Sequence, residues 1–596
     1  MPEEKQKIER PKVPFGKVVS FGVKITFKTI PLLFIIINLI GILHGISYGI
    51  TTFLTQRFFE SVEAVLVQSE ALRSAYTAVI FLGVVMLLRE LLNGVHNFMH
   101  TVCYNKMAGE MTKIIHEKMK RIDPVCLEDP HLHDDINKAQ EGSGTIQFII
   151  SIGITIFTFY LPFFIFMAFY FYFLKPVFII CMALIFIPVL AGQLMRTNII
   201  EKFEDKAAPI RREAEAHEKA ITDRAFFKET RILGGYMFFF RLLADTIKRW
   251  SKADSQANRK TNFINLCMNI FTIFGHCGII FLLFDALLKG EISVGAFAAI
   301  YGVIGLLFDI MNEIITRHIG EIASSLGKAH NFIRFMDLPE RGGAANARIT
   351  HDGIKAEGVS FKYPNAPENS VTDINLHIKT GETIAVVGEN GAGKTTLARL
   401  LTGIYKPSSG RITFYGMDTS TTAAENLFEN VSGVFQQYQK YQMTLDDNIR
   451  ISSFQNKNET ETPLKQAGVD INSESFPQGT QTMLSREFEG VDLSGGQWQR
   501  VAIARGLYRV HDTILLDEPT AAIDPLEESR IYKQFTEISK NKTAIIITHR
   551  LGSAQIADRI LVMEKGKIIG DGTHESLMQN CELYKKMYSS QAQWYQ

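Results

Sequence analysis

Along the first half of the chain, polar positions come in groups, and the stretches between them are apolar. A helix needs about 20 mostly apolar residues to cross a bilayer. Six stretches qualify: Pro31–Thr55, Ala75–Phe98, Ile146–Leu174, Val177–Met195, Phe263–Leu288 and Ser293–Glu313. Only Lys175-Pro176 separates the third from the fourth, and Lys289-Gly290-Glu291 turns between the last two, so two tight hairpins are expected. The connections after the second and fourth stretches are long and basic. Met99–Thr145 carries Lys106, Lys113, Lys118, Lys120 and Arg121, and Thr197–Asn262 carries Arg211, Arg212, Arg224, Arg231, Arg241, Lys248 and Arg249. The opposite side of the membrane has little beyond Arg73, Lys175 and Lys289. The excess of basic residues puts the long loops, and both termini, in the cytosol. Apolar residues recur at helical spacing in Asn105–Arg121 and Phe203–Arg224, so the spans should continue as helices into the loops. Asp123-Pro124 with Asp129-Pro130 breaks the first loop and Gly234-Gly235 the second, predicting a short helix near each break.

The pattern changes at Leu338–Ala345, a small and polar segment that reads as a linker. The chain divides into a cytoplasmic N-terminal segment (1–30), a six-span domain (31–337), a linker (338–353) and a soluble domain (354–596). In the last, Thr383–Val387, Thr513–Leu516 and Ile545–Ile547 are short β-branched or aliphatic runs, the mark of buried strands. With 63 basic and 62 acidic residues the net charge is +1, and nothing points to nucleic acid. The six cysteines are scattered without metal-type spacing, and reduced thiols are expected.

The first strand runs into Gly388-Glu389-Asn390-Gly391-Ala392-Gly393-Lys394-Thr395, a complete phosphate-binding loop followed by the helix opening at Thr396. Glycines let backbone N–H groups curl around phosphates, and the helix N-terminus adds partial positive charge. Lys394 has the reach for the β- and γ-phosphates, and Thr395 the hydroxyl for Mg2+. Thr513–Leu516 ends in Asp517-Glu518. A buried carboxylate is costly unless it meets a cation or a donor. Asp517 is suited to orient Mg2+, and Glu518 to act as general base toward water. The third strand leads to Thr548-His549, where a histidine is either structural or a sensor of the γ-phosphate. Gln436, in Val434-Phe435-Gln436-Gln437, sits on a loop able to report on Mg2+ and the attacking water. Tyr363 has the ring to stack on adenine, but a tyrosine in a β-rich start equally suits a core.

Together with Leu493-Ser494-Gly495-Gly496-Gln497, about a hundred residues beyond the glycine loop, these motifs follow a long apolar region in an order that reads as an ATP-driven membrane transporter. The chain resembles ATP-binding cassette (ABC) transporters over nearly its whole length. The resemblance implies a helical domain of the six-span, type I exporter kind followed by an α/β P-loop ABC ATPase. It adds Asp524, in Ala522-Ile523-Asp524, to the nucleotide site. It implies that Ser494, Gly495, Gly496 and Gln497 of one subunit close on the ATP held by another, so the chain looks like a half-transporter. A homodimer is favoured and a heterodimer remains open. Within exporters the chain is similar to nisin-type lantibiotic transporters. Phe435–Tyr441, Glu489-Gly490, Trp498 after the Ser494 motif, and the tail His574–Leu577 with Cys581–Tyr584 carry that narrower likeness. Fewer than about 35 residues precede the first span, too few for the protease domain of some bacteriocin exporters. A leader-bearing cargo would then need another enzyme to remove its leader.

The implied function is export of a modified peptide across the cell membrane. A lipid or multidrug exporter is the nearest alternative. A cassette that gates a channel or signals would not require an intact Glu518 and Leu493–Gln497. Charges within spans mark either a cargo cavity or ion pairs. Arg89, Glu90, Asp309 and Glu313 are the candidates, with a pair between Arg89 and the two acids as the structural alternative. Asp285 with Lys289 reads as a plain pair, and His44 and His276 fall near mid-membrane.

Overall fold

The computed structural model describes residues 13–67, 72–129, 136–343, 350–456, 458–519 and 542–592. They form two compact units. Among the described residues, one unit runs to 117 and from 136 to 337, and the other takes 118–129 and everything from 338 onward. The tip of the first long loop therefore belongs with the soluble domain.

The first unit is helical. A short helix, Phe15–Thr29, buries Val18, Gly22 and Thr26 along one stripe. Among the described residues, six helical segments are long and apolar enough to cross a membrane: Pro31–Leu66, Leu72–Arg121, Ala139–Leu174, Val177–Glu204, Tyr236–Leu288 and Val294–Met336. Five contain the corresponding sequence-predicted span, the sixth contains all of it but Ser293, and all six outrun it. The helices Val177–Thr222 and Tyr236–Leu288 have 46 and 53 residues. At 1.5 Å per residue they reach about 70 and 80 Å, more than twice the hydrocarbon thickness. The predicted helical extensions are thus present, and so are the short helices near the loop breaks. One is the turn Pro124–Glu128 after Asp123, the other is Arg224–Ile232, capped by the Asp223 side chain on the Ala225 N–H.

Val177–Thr222 packs along Tyr236–Leu288, Ala139–Thr155 against Gly320–Met336, and Val294–Asn312 against Pro31–Val67. Asp285 pairs with Lys289 at 2.6 Å, as the spacing predicts. Two spans contain π-helical turns, Ile156–Tyr160 and Glu313–Ile319. The two meet: the Tyr160 hydroxyl donates to Glu313 Oε2 at 3.1 Å and lies 3.3 Å from His318 Nε2. Glu313 also pairs with Arg317 at 3.0 Å. Arg89 instead binds Glu90 at 2.8 Å and lies over the Tyr48 ring, so the Arg89–Glu313 pair allowed by the sequence does not form.

In the second unit, β1 (Ile354–Phe361), β2 (Val371–Ile378), β4 (Ser409–Phe414) and β5 (Met417–Asp418) form an antiparallel sheet in the order β2-β1-β4-β5. A second sheet is built from β3 (Thr383–Gly388), β6 (Val431–Val434), β7 (Thr513–Asp517), β8 (Thr543–Ile547), β9 (Arg559–Glu564) and β10 (Lys567–Gly572). Its order is β10-β9-β3-β8-β7-β6. Its pairs are parallel except for the β9–β10 hairpin. Strands β7 and β8 are buried at every position, which explains the apolar runs Ile514–Leu516 and Ala544–Ile547. The Tyr415 hydroxyl joins the two sheets, reaching Thr513 Oγ1 at 2.9 Å and Thr543 Oγ1 at 2.7 Å.

The first loop's tip has a buried anchor, Cys126, and Val125 packs on the core of this unit. Lys118 donates to Leu338 O at 2.6 Å and pairs with Glu340 at 2.9 Å. The start of the expected linker is therefore held: Arg341 is 8% exposed and donates to Ile404 O at 2.8 Å.

One packing contact of the first unit is directly testable. A Cβ on Gly142 would stand 2.3 Å from Lys328 O, whereas one on Gly144, in the same helix, meets nothing within 4 Å. Gly142→Ala should therefore destabilise by about 1–3 kcal/mol through backbone overlap. Gly144→Ala should be neutral or stabilising, as alanine is the better helix former. Thermal unfolding of both purified variants checks this.

Candidate functional site

The register of the parallel sheet assembles the site. Val386 pairs with Ile547, Asp517 with Ile547, and Val434 with Leu516. The chain leaves each strand at the same edge, so Gly388, Gln436, Glu518 and His549 all follow within two or three residues of that line. Open parallel sheets bind ligands outside this carboxyl edge.

Gly388 to Thr395 wraps as the motif requires. Gly391 and Gly393 have φ of +80° and +95°, and a Cβ on Gly393 would meet Ser370 O at 2.5 Å. Only glycine serves there. Glu389 and Asn390 are exposed at the crest of the loop, while Ala392 is buried beneath it. Lys394 opens the helix Lys394–Leu401 and is 6% exposed. Its ammonium donates to the carbonyls of Gly388 at 3.0 Å and Glu389 at 2.9 Å. Burial pulls its pKa down, and Glu518 and Asp517 act in the opposite direction. A concave loop of N–H groups with a lysine folded across it fits a nucleotide polyphosphate.

Thr395 Oγ1 lies 3.5 Å from Asp517 Oδ1. Burial, reinforced by the neighbouring Glu518 charge, pushes the Asp517 carboxyl up to about 6, while Arg399, Thr395 and Lys394 oppose the shift. A divalent cation would relieve that cost. The hydroxyl, carboxylate and nearby Gln436 amide are hard oxygen donors suited to Mg2+. Among the described residues no cluster of three or more His, Cys, Asp or Glu could hold a metal.

Glu518 has a φ of +47°, unusual for a side-chain-bearing residue, and its N–H donates to Ile547 O at 3.0 Å. Both carboxylate oxygens are held. Gln436 Nε2 donates to Oε2 at 2.7 Å, and His549 Nε2 stands 2.7 Å from Oε1. Burial, then the Lys394 charge, lowers the His549 pKa, while the Glu518 charge acts in the opposite direction. Three residues far apart in sequence thus meet on one carboxylate.

Tyr363 is half-buried beside the glycine-loop helix. It packs on Phe361 and Tyr405 at 5.0 and 5.9 Å between ring centroids, and its hydroxyl lies 3.0 Å from Thr396 Oγ1. Ser494 caps the helix Gly495–Tyr508 in a reciprocal pair with Gln497: the Gln497 N–H donates to Ser494 Oγ at 3.3 Å and Gln497 Oε1 accepts from the Ser494 N–H at 2.9 Å. Gln497 also donates to Ser475 Oγ at 2.8 Å, and Tyr438 donates to Gly495 O at 2.7 Å. Gly496 follows in the first turn. None of these partners belongs to Gly388–Thr396. Asp524 lies outside the described residues.

Two residues act behind the site without a motif to betray them. Gln591, in the helix Glu582–Ala592, donates to His549 O and accepts from the Leu551 N–H. Gln499 is 2% exposed and donates to Pro519 O at 2.5 Å, next to Glu518. Only the three-dimensional approach of distant segments identifies them.

A family model described as ABC transporter matches residues 371–521. The chain is 33% identical over 378 residues to the subtilin transport ATP-binding protein SpaT of Bacillus subtilis, covering 62% of this chain and 61% of that protein. It is 36% identical over 242 residues to the nisin transport ATP-binding protein NisT of Lactococcus lactis subsp. lactis, covering 40% of each. It is 34% identical over 306 residues to an ATP-dependent lipid A-core flippase of Methylobacillus flagellatus, covering 51% of this chain and 52% of that protein. The chain thus spans 40–61% of the length of these three curated relatives. Among solved structures, a bacterial Atm1-family ABC exporter with ATP bound superposes with a TM-score of 0.79 at 20% identity, over 97% of this chain and 99% of that chain. Sequence likeness and fold likeness agree: residues 371–521 match the ABC transporter family, and the chain has the fold of an ABC exporter.

Proposed function

We propose that the chain is half of an ATP-driven exporter, working as a homodimer in the cell membrane with its cassette in the cytosol, and that its cargo is a cationic, amphipathic modified peptide. The observation that carries the reading is the carboxylate of Glu518 held between Gln436 and His549 at the edge that also carries Lys394, Thr395 and Asp517.

Gly388–Lys394 cradles the phosphates of ATP, and Lys394 exchanges its two carbonyl partners for β- and γ-phosphate oxygens. Thr395, Asp517 and Gln436 would hold Mg2+, which would neutralise charge on the phosphate oxygens. Glu518 takes the proton of the attacking water, with Gln436 and His549 orienting it. Tyr363 faces the base. Ser494 to Gln497 bond within their own subdomain, so they serve the ATP of a second copy, as does Asp524. Phe226 and Phe227 on the second loop's helix are about half exposed and supply an apolar contact to that copy. Movement of the two loop tips transmits cassette closure to the spans.

The cargo reading rests on a cavity of about 890 Å³ in the first unit. Its wall carries Glu204, Asp309, Glu313 and Glu321 against Arg196 and Arg317, an acidic surplus that attracts positive charge. SpaT and NisT, whose names refer to subtilin and nisin transport, support a peptide. The lipid A-core flippases match at similar identity and favour a lipid as the second reading.

Glu518→Gln should retain ATP binding but cut turnover by at least about 100-fold, because the amide cannot take the proton. Lys394→Ala should weaken nucleotide binding itself. Turnover within a few-fold of wild type in Glu518→Gln would remove Glu518 as the base.

The double change Asp309→Asn with Glu313→Gln should lower the ratio of peptide-stimulated to basal ATPase activity by at least about fivefold for a cationic peptide. Stimulation by a neutral lipid should not fall. An unchanged ratio, or loss of folded yield alone, would leave these acids with a packing role.

A further inference from the structure

Glu128, at the tip of the first long loop, makes its polar contacts with Arg399 of the glycine-loop helix and with Tyr405, which Arg399 also binds. Glu128 Oε1 accepts from the Tyr405 hydroxyl at 2.5 Å and from Arg399 Nη1 at 3.2 Å. Arg399 Nη1 also donates to the Tyr405 hydroxyl oxygen at 2.6 Å, which closes a triangle. Asp129 Oδ2 accepts from Asn365 Nδ2 at 3.1 Å, two residues past Tyr363. The Tyr405 ring stacks on Phe361 at 5.3 Å and stands edge-on to Tyr363, whose hydroxyl reaches Thr396.

Arg399 lies on the helix that Lys394 opens, a little over one turn further on. Its charge also acts on the Asp517 carboxylate. Adhesion of the tip does not need this triangle, because Cys126 is buried and Val125 packs on the core. A half-exposed ion pair contributes little to adhesion. Its bonds are directional, however, and they connect one position of the tip with one position of the Lys394 helix and the Tyr363 ring.

We propose that Arg399 is a positioning residue through which the seating of the first loop sets the affinity for nucleotide: the Glu128–Tyr405–Arg399 triangle holds the Lys394 helix and Tyr363 in their binding arrangement. The inference rests on the reading of Gly388–Thr396 as the ATP site. Coupling of this kind is reciprocal, so bound nucleotide also favours the seated tip.

The test uses the full chain in detergent and a fluorescent non-hydrolysable ATP analogue with Mg2+. Glu128→Gln, Arg399→Met and Tyr405→Phe should each raise Kd by at least about fivefold. The double variant Glu128→Gln with Arg399→Met should raise it no further than the larger single change, since both act on one triangle. Arg399→Lys should recover part of the loss. The unfolding midpoint without nucleotide should stay within about 3 °C of wild type in Tyr405→Phe, which keeps its ring stacked. An unchanged Kd, additive effects in the double variant, or a lowered midpoint with no change in Kd would overturn the proposal. If the wild-type chain binds the analogue yet hydrolyses no ATP, the exporter reading falls, and this inference is still decided by the Kd values.

Discussion

Asp517 and Glu518 put two carboxylates side by side where a fully buried strand ends. Burying negative charge there is unfavourable, and the surrounding structure is arranged to offset it. Lys394, Thr395 and Arg399 act on Asp517, while Gln436 and His549 take the two oxygens of Glu518. Each of these groups sits at the same sheet edge because β3, β6, β7 and β8 are parallel and in register. What the local side chains leave uncompensated is the demand for a cation, and the oxygen donors at that edge suit Mg2+ with phosphate. The need to neutralise two adjacent acids thus ties the sheet order, the glycine loop and the nucleotide chemistry together.

The Ser494 segment makes its bonds within its own surroundings. Ser494 spends its hydroxyl on capping its own helix, and Gln497 completes that cap and binds Ser475. None of these contacts reaches the chain's own glycine loop. A rigid helix N-terminus with an exposed first turn is suited to meet phosphate brought from elsewhere. In the membrane unit, the two π-helical turns create another local irregularity, where Tyr160 meets Glu313 and His318. Such turns often accompany functional sites, and this one borders the acidic cavity.

The spans and the nucleotide motifs were legible in the sequence because both are local signals. Twenty apolar residues or a run of eight with three glycines can be read without knowing any partner. Asp285–Lys289 was legible for the same reason, being four apart on one helix. Arg89 was not: a charge in a span has several possible partners, and Glu90 and the Tyr48 ring prevailed over Glu313. Nor could the sequence show that residues 118–129 fold with the cassette, since Glu128 and Arg399 are 271 positions apart. Gln591 and Gln499 escaped notice because a glutamine that braces another residue's backbone has no pattern of its own. Tyr363 stayed undecided between core and site because it touches both.

The central claim, that a working site is assembled from the glycine loop of one copy and the Ser494 segment of another, is most directly tested by mixing two inactive variants. One carries Lys394→Ala, the other Gly496→Asp, and each alone should show almost no ATPase activity. Co-expressed as differently tagged chains and purified through both tags, the mixed dimer contains one intact composite site. The account predicts that ATP hydrolysis returns, to about half the wild-type rate per dimer if the two sites turn over independently. Mixed dimers as inactive as either parent would contradict it, because a site completed within a single chain cannot be rescued by its neighbour.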